Sequence, residues 1–233
     1  MPMISVKPWR LTRRQRGLSL VELMVGVAVG LFVVAGATML VANQLGDNRR
    51  LLLETQIQQD LRAAADIIVR DIRRSGYWGA AQTGVWYAGS PGVTANPYTA
   101  VAPAVSGAAA SSVSFNYSRD AVGSENNTVD LVEQSGFRLV SGVIQMRVGG
   151  LWQPLTDGNT LRITNFQVTL AEQPITLSCS TPCAGLASCP PTQTVREMAV
   201  VIQGRAVADA AVQRMVRSNV RLRNDVLSGA CPT

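Results

Sequence analysis

From Leu23 to Ala42 the chain runs without a charge, and Thr38 is the only polar residue in the run. At about 1.5 Å per residue, those twenty or so residues span roughly 30 Å as a helix, the thickness of a bilayer core. Past Ala42 the pattern changes rather than stops. Leu45, Leu52, Ile57, Leu61, Ala65, Ile68 and Ile72 recur mostly at three- and four-residue steps. Arg49, Glu54, Asp60, Arg62, Asp66, Arg70, Arg73 and Arg74 largely fill the other positions, which predicts an amphipathic helix with one stripe on a core. Ser75-Gly76 ends it, because glycine suits a left-handed cap. A continuous helix from Leu18 to Ser75 would be about 87 Å long.

Residues 79–112 are rich in Ala, Gly, Ser and Pro and read as a long variable loop. After it the period becomes two. Val113, Phe115 and Tyr117 alternate with polar residues, and Phe137–Val140 and Val143–Val148 are short strands. Gly149-Gly150 is a hairpin turn. Leu161 and Ile163, then Phe166, Val168 and Leu170, mark a longer strand whose phase breaks near Asn165, as a bulge would cause. Val195–Ile202 and Val216–Leu222 complete the set, and Ala206–Val212 fits either a helical turn or a loop. The expected fold is α+β: a long N-terminal helix, its amphipathic half packed on an antiparallel sheet.

The net charge of +6 is a property of the first residues. Lys7, Arg10, Arg13, Arg14 and Arg16 have no acid among them, and without these five the balance falls to +1. A near-neutral body gives little reason to expect nucleic acid as a partner. The chain has no histidine, which excludes His-based acid–base catalysis, Ser-His-Asp and Cys-His systems and His metal ligands. Asp120, Glu125, Asp130 and Glu133 form the one dense acidic group beyond the helix, and an anchored enzyme would use such a group. Charged side chains are mostly exposed, so these four are expected as solvated loop and strand-edge residues. No enzyme activity, cofactor or metal is expected.

Four cysteines, Cys179, Cys183, Cys189 and Cys231, lie in the C-terminal quarter. An even count in an exported domain favours disulfides, and four cysteines allow three pairings that sequence does not separate. The preferred pairing joins Cys183 to Cys189 around a Pro-rich loop and Cys179 to Cys231 across the C-terminal tail. The latter closure is worth about 4 kcal/mol on the entropic model. Reduced thiols and a four-thiolate zinc site are the alternatives, and the cysteine spacings do not match paired zinc knuckles.

The most informative residue is Glu22, a lone carboxylate at the start of the apolar run. A charge at the centre of a membrane helix costs roughly 2.5–3.5 kcal/mol and is a functional hypothesis by default. Basic residues ahead of the run indicate membrane insertion with a cytoplasmic N-terminus, and no small-residue cleavage site follows the run. The stretch Arg16-Gly17-Leu18-Ser19-Leu20-Val21-Glu22-Leu23-Met24 resembles the type III signal sequence of type IV pilins and type II secretion pseudopilins. The resemblance implies cleavage by a prepilin peptidase between Gly17 and Leu18, then N-methylation of Leu18. It makes Glu22 the fifth mature residue, which in that family pairs with the N-terminal amine of a neighbouring subunit. The family most often has Phe first; here it is Leu18. A cation supplied by cleavage is the physical requirement a buried carboxylate sets. Gly26, Gly30 and Gly36 lower helix propensity in the apolar half and permit close approach of neighbouring helices.

Arg70-Asp71-Ile72-Arg73-Arg74-Ser75-Gly76-Tyr77-Trp78-Gly79 resembles a segment of PilW-type minor pilins, and Met215–Asn224 resembles that group's C-terminal strand. J-type pseudopilins share parts of the pattern. Tyr77 and Trp78 are expected to pack in the core where helix meets sheet. The implied organisation is a leader at 1–17, a transmembrane and assembly helix at 18–42, its amphipathic continuation at 43–76 and a β-rich domain at 77–233. Loop 79–112 and the cysteine region, residues 174–192 especially, would be contact surfaces. The implied function is a minor pilin that primes, and enters, the type IV pilus; a J-type pseudopilin of type II secretion is the runner-up. Implied partners are other minor and major pilins, the prepilin peptidase and the inner-membrane assembly platform. The expected location is the inner membrane, one span with a periplasmic body, and then the filament. No G-x-x-x-x-G-K-[ST] loop is present, so the driving ATPase would be a separate protein.

Overall fold

The computed structural model describes residues 17, 19–85, 94–120, 123–185 and 188–232. The basic leader residues, Leu18 and residues 86–93 of the variable loop lie outside the described residues. The chain divides into two units, 1–49 and 50–233. Helix α1 (Leu20–Arg73) begins in the first and ends in the second. In the first unit every described helical side chain is exposed, with Phe32 at 82%.

In the second unit one face of α1 enters the core. Ile57, Leu61, Ala65, Ile68 and Ile72 of the predicted stripe are buried, with Ala64 beside them, whereas Leu45 and Leu52 are exposed because the buried face begins only at Ile57. Ten strands follow: β1 (Val101–Ala102), β2 (Ala109–Ala110), β3 (Ser112–Asn116), β4 (Gln134–Val140), β5 (Val143–Val148), β6 (Leu151–Pro154), β7 (Leu161–Thr176), β8 (Thr192–Ala206), β9 (Gln213–Arg221) and β10 (Val226–Ser228). They form two antiparallel sheets, where a single one was expected. One is ordered β1-β3-β4-β5-β6; the other is β10-β8-β7-β2, with β9 also paired to β8. A single twisted sheet of about ten strands is at the limit of what stays open without splitting. The split falls at residue 111, between β2 on β7 and β3 on β4.

Both sheets contribute to one core. Val113, Phe115, Phe137 and Ile144 come from the first, and Phe166, Val168, Met198, Val200 and Ile202 from the second. The long β7–β8 ladder shifts register between Ile163 and Asn165. That bulge lets Leu161 and Ile163, then Phe166, Val168 and Leu170, all face inward although their numbering changes parity. Residues 207–212 form the β8–β9 turn, closed by the Ala206 amide on the Val212 carbonyl at 3.0 Å.

The loop at 79–112 is more structural than its composition predicts. Tyr98 is fully buried, and β1 and β2 each extend a sheet. Two-residue strands have no period to read, and small residues at close backbone approaches look like loop composition.

Ile68→Ala should destabilise the chain by about 2–5 kcal/mol, because Ile68 is 0% exposed in a packed core. Leu52→Ala, at a position 71% exposed, should stay within about 0.5 kcal/mol. Denaturant midpoints of the two variants check this contrast.

Candidate functional site

Glu22 lies in the first turn of α1, where the helix dipole favours a negative charge. The turn is closed by the Leu23 amide on the Ser19 carbonyl at 3.1 Å. Among the described residues Glu22 has no ion-pair partner, and its side chain is exposed. Gly17 is exposed, and a Cβ there would meet nothing within 4 Å. The fold itself therefore gives no steric reason for glycine at 17. The same holds for Gly26, Gly30 and Gly36, each of which costs about 1 kcal/mol of helix propensity relative to Ala. The helix is long and apolar enough to cross a membrane, and none of its apolar window is buried.

The other end of α1 is fixed by backbone acceptors and amides. Gly76 takes φ +72°, donates its N–H to the Asn116 carbonyl at 2.8 Å, and accepts from the Asn96 side chain. Asn224 donates to the Ser75 carbonyl at 3.0 Å. Trp78 is buried, its indole N–H donating to Asn127 Oδ1 at 2.7 Å. Tyr77 is not in the core: it is 47% exposed, because the cap turns the chain and sends the two aromatic residues to opposite sides.

Sequence composition does not reveal the node beside this cap. Glu133, expected at the solvent, is 1% exposed and accepts from the Arg119 and Asp130 amides at 2.9 Å each. The Tyr98 hydroxyl lies 3.2 Å from both its oxygens and donates to Glu125 Oε1 at 2.8 Å. Glu125 also accepts from the Gly79 amide at 3.0 Å and the Asn127 amide at 3.1 Å. A Cβ on Gly79 would sit 2.7 Å from Glu125 Oε2, so a larger residue there would make the carboxylate shift. Burial raises the Glu125 carboxyl, but hydrogen bonds from Ser118, Tyr98, Gly79 and Asn127 outweigh it and hold the group below its ordinary value of 4.5. Burial, then the two glutamates, push the Tyr98 hydroxyl well above its ordinary range. The signal that could have exposed Glu133 is the Asp130-x-x-Glu133 spacing, a capping-box pattern. With Glu133 and Glu125 filled by amides and a tyrosine, the acidic group is a structural clamp rather than a converging set of free acids.

Arg196, 3% exposed, was also missed, since an alternating strand predicts only that its position faces inward. It donates to the Thr99 carbonyl at 2.6 Å and the Asn224 carbonyl at 3.2 Å, tying the loop to the C-terminal segment. Burial lowers its guanidinium, with Glu172 and Asp225 opposing. In the cysteine region, disulfides join Cys179 to Cys231 and Cys183 to Cys189, with Cα–Cα distances of 5.5 Å. The flanking residues 174–176 and 192 belong to β7 and β8, so the loop is the closed end of that hairpin.

A family model described as prepilin peptidase-dependent protein B matches residues 50–222, well over half of the chain. A second, described as a prokaryotic N-terminal methylation motif, matches residues 12–38. No curated protein and no solved structure matches the chain.

The clamp sets an acid dependence. Because the Glu125 carboxyl is held low in the folded chain, its contribution is complete above about pH 4.5 and is lost as the pH falls below that. Unfolding midpoints measured from pH 7 to pH 3 should fall in the native chain. Glu125→Gln should start lower and lose less across the same range.

Proposed function

The chain belongs to the prepilin peptidase-dependent protein B family, and from that premise we propose that it is a minor pilin that primes the type IV pilus and is incorporated into it. The carrying observation is one helix with two kinds of surface. From Ile57 onward one face of it is buried in a β-rich body that the family model covers, and its apolar start, within the methylation-motif match, is exposed. An exposed apolar surface of that length demands a lipid or protein environment. A methylation motif followed by such a helix fits membrane anchoring of a pilin-like protein.

In this reading, processing between Gly17 and Leu18 creates an amine on Leu18, which makes Glu22 the fifth residue of the processed chain. Assembly then moves the apolar helix from lipid into contact with other pilin helices. A carboxylate surrounded by apolar helices is tolerable only if paired, and the amine of a neighbouring subunit supplies the charge. The glycines at 26, 30 and 36, unneeded by the isolated fold, support close helix packing in the filament. Pilin-like families are structural, and no residue is assigned a catalytic role. The Arg70–Gly79 resemblance favours a pilus over a secretion pseudopilus, whose subunits obey the same physics.

The deciding measurement is the N-terminal mass of the protein from membranes with and without prepilin peptidase. A methylated Leu18 terminus that needs the peptidase is the expected result; an intact leader in both would sink the proposal. Gly17→Asp should block processing. Glu22→Ala should be processed and inserted normally, yet its level in sheared filaments should drop about tenfold or more, the effect of losing 1.4 kcal/mol or more.

A further inference from the structure

The end of α1 carries more positive charge than its fold uses. Arg74, Tyr77, Ser118, Arg223 and Asn224 line a cavity of about 530 Å³. Arg73, Arg221 and Arg223 line a second of about 450 Å³, and Arg223 borders both. The Arg223 amide donates to the Arg73 carbonyl at 3.3 Å, which fixes the two cavities side by side. Arg119 extends the cluster: its guanidinium lies 5.4 Å from the Tyr117 ring centroid, and that of Arg74 lies 4.4 Å from the same ring.

Among the described residues, two carboxylates lie within ion-pair distance of these five guanidiniums, and Glu197 stands opposite Arg221 across the β8–β9 ladder. Arg221 pairs with Asp225 at 3.0 Å, and Arg74 reaches Asp71 at 3.8 Å in an exposed pair worth little. Among the described residues, Arg73, Arg119 and Arg223 have no carboxylate within ion-pair distance. Cations near a helix C-terminus complement its dipole, which accounts for Arg73 and Arg74. It does not account for Arg119, which follows β3, or for Arg221 and Arg223 at the end of β9.

We propose that this arginine-lined double cleft is a docking surface for a carboxylate-bearing surface of another pilin-like subunit. The proposal rests on the filament reading above. Three features set the partner's chemistry. Lys7 is the only lysine of the chain, so every cation of the body is an arginine, whose planar fork binds carboxylates in bidentate fashion. Exposed Tyr77 stands on the rim, and arginine with tyrosine, depleted of lysine, is the composition of protein–protein hot spots. Asp71 and Asp225 interrupt the positive field, which suits discrete carboxylates rather than a continuous run of phosphates.

The test uses the full chain in cells, with photo-crosslinking benzoylphenylalanine at position 77. The expected crosslink maps to an Asp- or Glu-bearing segment of another pilin-like subunit. Arg73→Glu with Arg223→Glu, both exposed positions, should lower its yield about tenfold, while Lys at both should retain more. Arginine substitution of the mapped acid should restore yield to the reversed chain. A yield indifferent to the reversal, a crosslink to DNA or to a segment without acids, or no crosslink in a chain with a processed N-terminus would overturn the docking surface alone. An unprocessed chain would overturn the filament reading and this surface with it.

Discussion

The stripe of Ile57, Leu61, Ala65, Ile68 and Ile72 is the constraint on which the body is built. A single helix is a narrow cylinder, and two sheets share its one apolar face in a common core. Small residues at 64 and 65 are buried alongside the stripe. The bulge at Ile163–Asn165, the division of strands after β2 and the reversed cap at Gly76 all serve to bring side chains onto that surface. Removing water from this contact is the main favourable term in the fold.

Periodicity was the legible part. The helix stripe, the alternation along β3, the β5 strand and the parity change in β7 follow from spacings of 3.6 and 2 with little ambiguity. What could not be read was chemistry at close quarters. Glu133 and Glu125 look like surface acids because composition does not show who donates to them; four of their partners are backbone amides, which a sequence does not distinguish. Tyr98 sits among Ala, Pro and Thr, where no pattern marks one residue as buried. Adjacent aromatic residues Tyr77 and Trp78 look equivalent in sequence. Only the turn between helix and sheet decides which goes inside.

At the other end of the helix the legible feature was a mismatch. Glu22 in an apolar run and glycines without internal steric need are anomalies for an isolated chain. In the proposed filament they would become ordinary, since neighbours would supply a counter-charge and a close-packed surface. Local rules fail there in the manner expected where function overrides them. The body obeys those rules, and it is the body that the prepilin peptidase-dependent family model covers.

The Cys179–Cys231 bond has a topological consequence. It closes a ring of chain that contains β8, β9 and β10. Short terminal strands such as β10 ordinarily can detach and pair with a second copy of the same protein, since exchange costs little when the element is a free end. Here the end is tethered to the hairpin that it would have to leave. In the proposed filament, such a chain would be denied this low-cost route to entangling with its neighbours.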